Sequence, residues 1–292
     1  MNYEIHYLTE YAYDSPVSDN LNALRVHPAT TSSQRCDEFH VRLEPEARLQ
    51  RHVDYYGTQV LEFGIAKPHD HLTVDVRARV VTSEPKQAPE ASWEALLSES
   101  YIEVAGEFLL PLGDEPVTLN HQLVDDMRGA TPLATAHNLS NIIADRFRYE
   151  PGATYVGSTV DDFLGLGAGV CQDFAHLGVV LLRRNGIAAR YVSGYLFSTA
   201  GGQDDAAESV EVQTHAWVEG LLPGDEENPE PVWVGIDPTN RKLAGETHVK
   251  IGHGRRYSDV PPTKGVYFGS AGAALTVAVT MTRLDAATSA RT

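Results

Sequence analysis

Three residues of this 292-residue chain have the types needed for acyl chemistry by a thiol: Cys171, His215 and Asp237. A cysteine attacks as its thiolate, an imidazole takes and returns the proton, and a neighbouring carboxylate fixes the imidazole tautomer and supports its charged form. Cys171 stands in GVCQDFAHL, where the glycine-rich approach GLGAG (165–169) leads into an apolar run that stops at Asn185-Gly186. A helix starting there would hold the thiol at the positive end of its dipole, where free backbone N–H groups favour an anion. The N–H groups of GLGAG would also be donors for the oxyanion of an acyl-transfer intermediate. A second reading stands beside this one, because free cysteine is among the most buried residue types and Cys171 could simply fill core.

The choice turns on a base and its orienter. His176 follows Cys171 by five positions, so on a helix it points roughly 140° away from the thiol, which makes it a core or supporting histidine. His215 lies in QTHAWVEGLL, whose alternation places His215, Trp217 and Glu219 on one strand face. Asp237 closes VWVGIDPTN on the face of Trp233 and Gly235. Between these strands runs LPGDEENPEP, rich in turn formers; pairing His215 directly opposite Asp237 centres a hairpin on residue 226, inside that loop. Each residue also has a plainer reading: Asp237 before Pro238 can start a turn, and an isolated strand histidine is usually structural.

The elements that must carry these residues read as an α+β order. Through residue 82 the pattern is strand-like, with Tyr3, Ile5 and Tyr7, then Phe39, Val41 and Leu43, then Leu72, Val74 and Val76 at alternate positions. Pro85 and Pro89 mark a linker, giving a small antiparallel β-domain over 1–90 and a second domain over 91–292 with its core at 132–245. In PLATAHNLSNIIADRF, Leu139, Ile142, Ile143 and Phe147 recur at helical steps, and the segment after Cys171 is apolar almost all round, as a central buried helix requires. Strands are expected at Ile187–Phe197, Thr214–Leu222, Val232–Asp237 and Leu275–Arg283, and DAATSART at the end reads as a frayed tail.

The stretches GVCQDFAHLGVVLLRRNGIAARYVSGYLF, THAWVEG and WVGIDPTN resemble the core of bacterial transglutaminase-like proteins, a branch of the papain-like thiol enzymes that includes proteins described as cysteine proteases. FRYEPGATYVGST resembles the segment before the cysteine in that family. LRVHPATTSSQ and DYYGTQV are similar to the N-terminal β-domain often attached to the core in bacteria. The resemblance implies a papain-like/transglutaminase fold, in which a helix carrying the cysteine packs on an antiparallel sheet, preceded by a small β-sandwich-like domain. It implies Cys171 as nucleophile, His215 as general base and acid, and Asp237 as orienter, with the Cys171 N–H in the oxyanion hole. Tyr149 and Tyr155 are candidates for a second donor. No metal or organic cofactor is required. The expected reaction is hydrolysis of a peptide, protein or small-amide carbonyl through an acyl-thioester; the alternatives are transfer to an amine, as in protein-glutamine crosslinking, and a catalytically silent binding module.

Composition narrows the partners. Lys+Arg 23 against Asp+Glu 40 leaves a net charge of −17, which repels phosphate backbones and anionic lipid. The start, MNYEIHYLTE, is not signal-like, and no apolar run reaches the ~18 residues that span a bilayer. With only Cys36 and Cys171 available, free thiols in the cytoplasm are expected. The β-domain is a candidate homodimer contact, with the oligomeric state left open. GLGAGV lacks the strand and spacing of a dinucleotide fingerprint. His69-Asp70-His71 puts two histidines on one side of a strand, and neither this group nor the pair His248 and His253 has a third ligand at useful spacing. Acidic GDEENPE lacks an EF-hand pattern.

Overall fold

The computed structural model describes residues 1–111, 119, 121–198, 209–212 and 214–284; the tail expected at 285–292 lies outside them. The first half contains the strands β1 (Asn2–Leu24), β2 (Gln34–Glu44), β3 (Gln50–Val53), β4 (Gln59–Ile65) and β5 (His69–Thr82), then helices α1 (Glu99–Ala105), α2 (His121–Met127) and α3 (Pro132–Arg146). A short strand β6 (Arg148–Tyr149), helix α4 (Val160–Leu166) and short strand β7 (Ala168–Gly169) lead to helix α5 (Cys171–Arg184). The strands β8 (Ala189–Leu196), β9 (Ser209–Val212), β10 (Thr214–Leu222), β11 (Val232–Asp237), β12 (Lys242–Leu243), β13 (His248–Gly254), β14 (Thr263–Phe268) and β15 (Ala273–Arg283) follow. The chain is α+β, as its sequence order predicts.

Two antiparallel sheets carry the architecture. The first is built on β1, whose leading half pairs with β5 and β15 and whose trailing half pairs with β4 and β14. Alternate residues of β1 and β5 point inward: Tyr3, Ile5, Tyr7, Leu72, Val74 and Val76 are all buried. A division at residue 90 assigns β14 and β15 to the second unit by sequence. In space they complete the first sheet: β15 pairs with Tyr3–Tyr13 and β14 with Ser18–Leu24 of β1, along the edges that β5 and β4 leave open.

The second sheet runs β12-β11-β10-β8-β13. Its core packs on α5, whose Phe174, Ala175, Leu177, Leu181 and Leu182 are buried with Val218, Leu221 and Ile236 from the strands and Leu139 and Ile143 from α3. The near-continuous apolar character of α5 follows from this position, with strands and other helices around it. The two units meet where Tyr195, Phe197, Val249 and Ile251 enter the core of the first sheet. Gln34 closes the seam: its amide oxygen accepts from the Lys250 N–H at 2.7 Å and its amide nitrogen donates to the Lys250 carbonyl at 2.8 Å, occupying backbone groups on the edge strand β13. Among the described residues, no helix is long and apolar enough to cross a membrane.

Candidate active site

Cys171 is the first residue of α5. The chain reaches it through a turn that only glycine fits. Gly167 ends α4 with φ +66°, the left-handed conformation that L side chains avoid. A Cβ on Gly169 would lie 2.5 Å from Asp173 Oδ2 and 2.8 Å from the Phe163 ring. Asp173, in the first turn of α5, accepts from the Val170 N–H at 2.8 Å and from the Thr154 hydroxyl at 2.6 Å, so this carboxylate caps the helix and ties the 148–159 segment to it. Cys171 is partly exposed; its helix behind it is buried.

This geometry corrects one expectation. The glycines of GLGAG do not form an open row of N–H donors: Gly165 lies within α4, the Gly167 N–H donates to the Phe163 carbonyl at 2.9 Å, and the Val170 N–H is held by Asp173. The N–H groups of Asp173 and Phe174 both turn back to the Val170 carbonyl. The Cys171 N–H remains the donor placed at the thiol's own residue. Tyr149 sits on β6, paired in parallel with β7, and burial, helped by the Cys171 charge, raises its hydroxyl pKa. Tyr155 is largely exposed.

His215 comes from the start of β10 and Asp237 from the end of β11. The observed register pairs Val218 with Ile236 and Leu222 with Val232, which centres the hairpin on residue 227. Asp237 is therefore diagonal to His215, two positions short of the residue directly opposite it; two extra residues in the turn shift the pairing. The diagonal still permits contact, with His215 Nε2 2.8 Å from Asp237 Oδ2. Asp237 is fully buried and also starts the turn anticipated from its proline: Oδ1 accepts the N–H groups of Thr239 and Asn240 at 3.0 and 3.1 Å. Its two oxygens thus separate two roles.

Oδ2 carries a crowded set of donors. His248 Nε2 lies 3.1 Å away and Asn240 Nδ2 2.8 Å away, in addition to His215. Burial raises the Asp237 pKa, but the hydrogen bonds and charges of the two imidazoles outweigh it and hold the carboxyl well below the usual range. Burial also opposes a charged His215; the hydrogen bonds to Asp237 and Cys171, and their charges, overcome it and raise the ring pKa to about 10. With Nε2 on Asp237, Nδ1 is the nitrogen left for Cys171. Trp217 lies nearly parallel to His215 at 6.1 Å and edge-on to His248 at 5.3 Å, walling the imidazoles from solvent on that side.

Two imidazoles share one carboxylate, and their surroundings distinguish them. Cys171 contributes to the His215 pKa and not to that of His248, which burial lowers. Asn240 escapes the sequence reading, and His248 enters it only with His253, as a metal pair set aside for want of a third ligand. Asp-Pro-x-Asn is a turn signature that could have flagged Asn240, whereas His248 reaches Asp237 from β13, which pairs with β8 on the far side of the sheet.

Ligand atoms of His215, Asp237 and His248 lie within 4.8 Å of one another, a grouping that could hold a metal ion. Two ligands on one tetrahedral zinc with bonds near 2.1 Å stand roughly 3.4 Å apart. The 2.8 and 3.1 Å separations here are hydrogen-bond lengths, and Asn240 fills a further acceptor direction, so the set fits a hydrogen-bonded carboxylate better than a metal centre. The other histidines separate in space. His176 accepts the Tyr257 N–H at 3.0 Å and lies against Tyr191. His69 is buried against Asn20 while His71 is exposed beside Asp70, because a register shift between β1 and β5 falls at this point.

Known proteins share the sequence and fold of this chain. Residues 3–81 match the bacterial transglutaminase-like N-terminal region, and residues 121–238 match the transglutaminase-like superfamily. An uncharacterized protein of Mycobacterium leprae is 34% identical over 280 residues, covering 94% of this chain and 96% of that protein. A protein-glutamine gamma-glutamyltransferase of Pseudomonas aeruginosa is 31% identical over 163 residues, which is 51% of this chain and 22% of that protein. The crystal structure of a "putative cysteine protease" from Cytophaga hutchinsonii shares the fold with a TM-score of 0.73 at 23% identity, covering 98% of this chain and 92% of that one.

Proposed function

We propose a function from the premise that this chain belongs to the transglutaminase-like superfamily of cysteine-dependent enzymes and carries the bacterial transglutaminase-like N-terminal region. The protein cleaves amide or peptide C–N bonds through an acyl-thioester on Cys171. The observation that carries this reading is the placement of a partly exposed thiol at the start of a buried helix, within hydrogen-bonding influence of an imidazole fixed by a buried carboxylate.

In the reaction the Cys171 thiolate forms a C–S bond to the carbonyl carbon, and the oxygen takes the negative charge beside the Cys171 N–H. His215 Nδ1 passes its proton to the departing nitrogen as the C–N bond breaks, leaving the thioester and a free amine. A water molecule then gives a proton to His215 and adds to the carbonyl; the C–S bond breaks and the thiolate–imidazolium pair returns. Asp237 keeps the proton on His215 Nε2 throughout, so that Nδ1 is the nitrogen that works.

The partial exposure of Cys171 favours water as the acceptor, since transfer to an amine requires water to be kept from the thioester. The name of the Pseudomonas relative favours the second reading, transfer to an amine. Incubation with a glutamine-containing peptide and a labelled primary amine separates them. Ammonia release without label incorporation is the expected result; incorporation would assign crosslinking, and equal turnover by Cys171→Ala would remove both. The acidic surface and free thiols support cytoplasmic action on a peptide, protein or small amide.

A further inference from the structure

His248 is buried, and both of its ring nitrogens are engaged. The Gly245 N–H points at Nδ1 from 3.3 Å, so the single proton of a neutral ring belongs on Nε2, which donates to Asp237 Oδ2 at 3.1 Å. The Thr247 hydroxyl stands 3.4 Å from Nδ1 as a further potential donor. The ring plane is set by Trp217, which meets it at 74°. Titratable and charged groups face it from three other strands: His215 on β10, Asp237 on β11 and Lys242 on β12. Burial comes first in keeping the ring neutral, and the charges of Lys242 and His215 act in the same direction against the pull of Asp237.

We infer that His248 is a positioning residue for the Cys171–His215–Asp237 site: it holds Asp237 Oδ2 in the direction that His215 Nε2 requires, and so keeps Nδ1 turned to the thiol. The inference rests on the functional reading above. A neutral donor suits this task. A cationic ring at the same place would compete with His215 for the carboxylate charge, while a neutral N–H constrains the oxygen and leaves its charge to the working imidazole. Asn240 supplies a second neutral donor to the same oxygen, so the carboxylate is clamped from the turn and from β13 together.

The test compares His248→Phe, His248→Gln and His215→Asn in the full chain, reading the rate of Cys171 alkylation by iodoacetamide per folded molecule and the ring nitrogens of His248 by ¹⁵N NMR. Phenylalanine keeps the packing and loses the donor, and the expected alkylation rate falls about ten- to a hundredfold, as loss of one hydrogen bond to a buried charge implies. Glutamine restores a donor near the Nε2 position and should recover most of that loss. The wild-type ring should show a proton on Nε2 and a bare Nδ1 through neutral pH. If His248→Phe folds less stably yet alkylates at the wild-type rate while His215→Asn is slowed, the residue is structural and this inference fails alone. If His215→Asn is not slowed either, the functional reading fails with it. Should His248→Phe not fold, the glutamine variant and the wild-type tautomer decide: a proton on Nδ1 would overturn the assignment.

Discussion

Two carboxylates, Asp237 fully buried and Glu219 largely so, hang from adjacent strands of the same sheet and are held in opposite ways. Asp237 is surrounded by donors that are neutral or can become so: two imidazoles and an amide. Glu219, on β10, accepts from the Arg190 Nε at 2.6 Å and from Lys250 Nζ at 2.6 and 2.8 Å, two cations of which one never loses its charge. Burial raises both carboxyl pKa values and the partners reverse it, to about 2 for Glu219 and below the usual range for Asp237. Arg190 also stacks on Trp233, and burial together with Lys250 and Arg190 lowers the His253 pKa to about 3. Glu219 and Arg190 keep their charges through neutral pH, and burial, opposed by Glu219, lowers the Lys250 pKa to about 8, so this group stays an ion cluster up to that pH. The Asp237 group is built around a proton that moves. A buried ion cluster clamps the sheet in the first case, and in the second a carboxylate governs where a proton resides.

Substitution should separate the two groups most sharply. Cys171→Ala should abolish turnover, and Asp237→Asn should lower kcat on the order of a hundredfold or more with a smaller effect on folding, since a neutral amide releases the His215 tautomer. Glu219→Gln should do the reverse. Leaving Arg190 and Lys250 buried with a single neutral partner should cost about 3–5 kcal/mol of unfolding free energy in denaturant titration, while the alkylation rate of Cys171 per folded molecule stays unchanged. A Glu219→Gln protein of normal stability with slowed alkylation would erase the distinction.

The pH dependence of stability sharpens the same contrast. The Glu219 carboxyl is depressed from 4.5 to about 2, so its contribution is present above pH 4.5 and is lost as pH falls toward 2. His215 is raised from 6.5 to about 10, so its contribution is complete below pH 6.5 and fades as pH rises through 10. Chemical denaturation of wild type should show both edges. Glu219→Gln should weaken the acid edge and, because Glu219 is the group that raises the Lys250 pKa, should also move the Lys250 titration below about 8. Cys171→Ala should move the alkaline edge downward, because the thiol helps to raise the His215 pKa, and an NMR titration of that ring should follow it. The smallest effect is expected at the helix start, where Thr154→Val removes one hydrogen bond to Asp173 and should cost about 1 kcal/mol by thermal denaturation.

Local patterns carried much of the fold into the sequence. Alternation at Tyr3, Ile5 and Tyr7 identified inward-facing strand positions, and the continuous apolar character after Cys171 identified a helix enclosed on most sides. The contact between His215 and Asp237 was legible because a single short hairpin joins them, and the two-residue register error left both on one face. What stayed hidden depends on long-range pairing. The return of β14 and β15 to β1, and the approach of His248 from a strand that neighbours neither β10 nor β11, are set by sheet order, which local periodicity does not encode. The fate of the amides in GLGAGV was hidden for a related reason: a carboxylate three residues on claims the Val170 N–H, and an α4 carbonyl claims that of Gly167.

The chain contains its own control for the central claim. Burial, with Asp37 beside it, raises the Cys36 thiol pKa to about 11, so Cys36 should be nearly inert to alkylation at neutral pH. Intact-mass and peptide mapping after limited iodoacetamide treatment at neutral and mildly acidic pH should therefore show label on Cys171 long before Cys36, with that preference collapsing in His215→Asn. Labelling of Cys171 no faster than an ordinary thiol, or unchanged when His215 is replaced, would contradict a thiolate–imidazolium pair at this site.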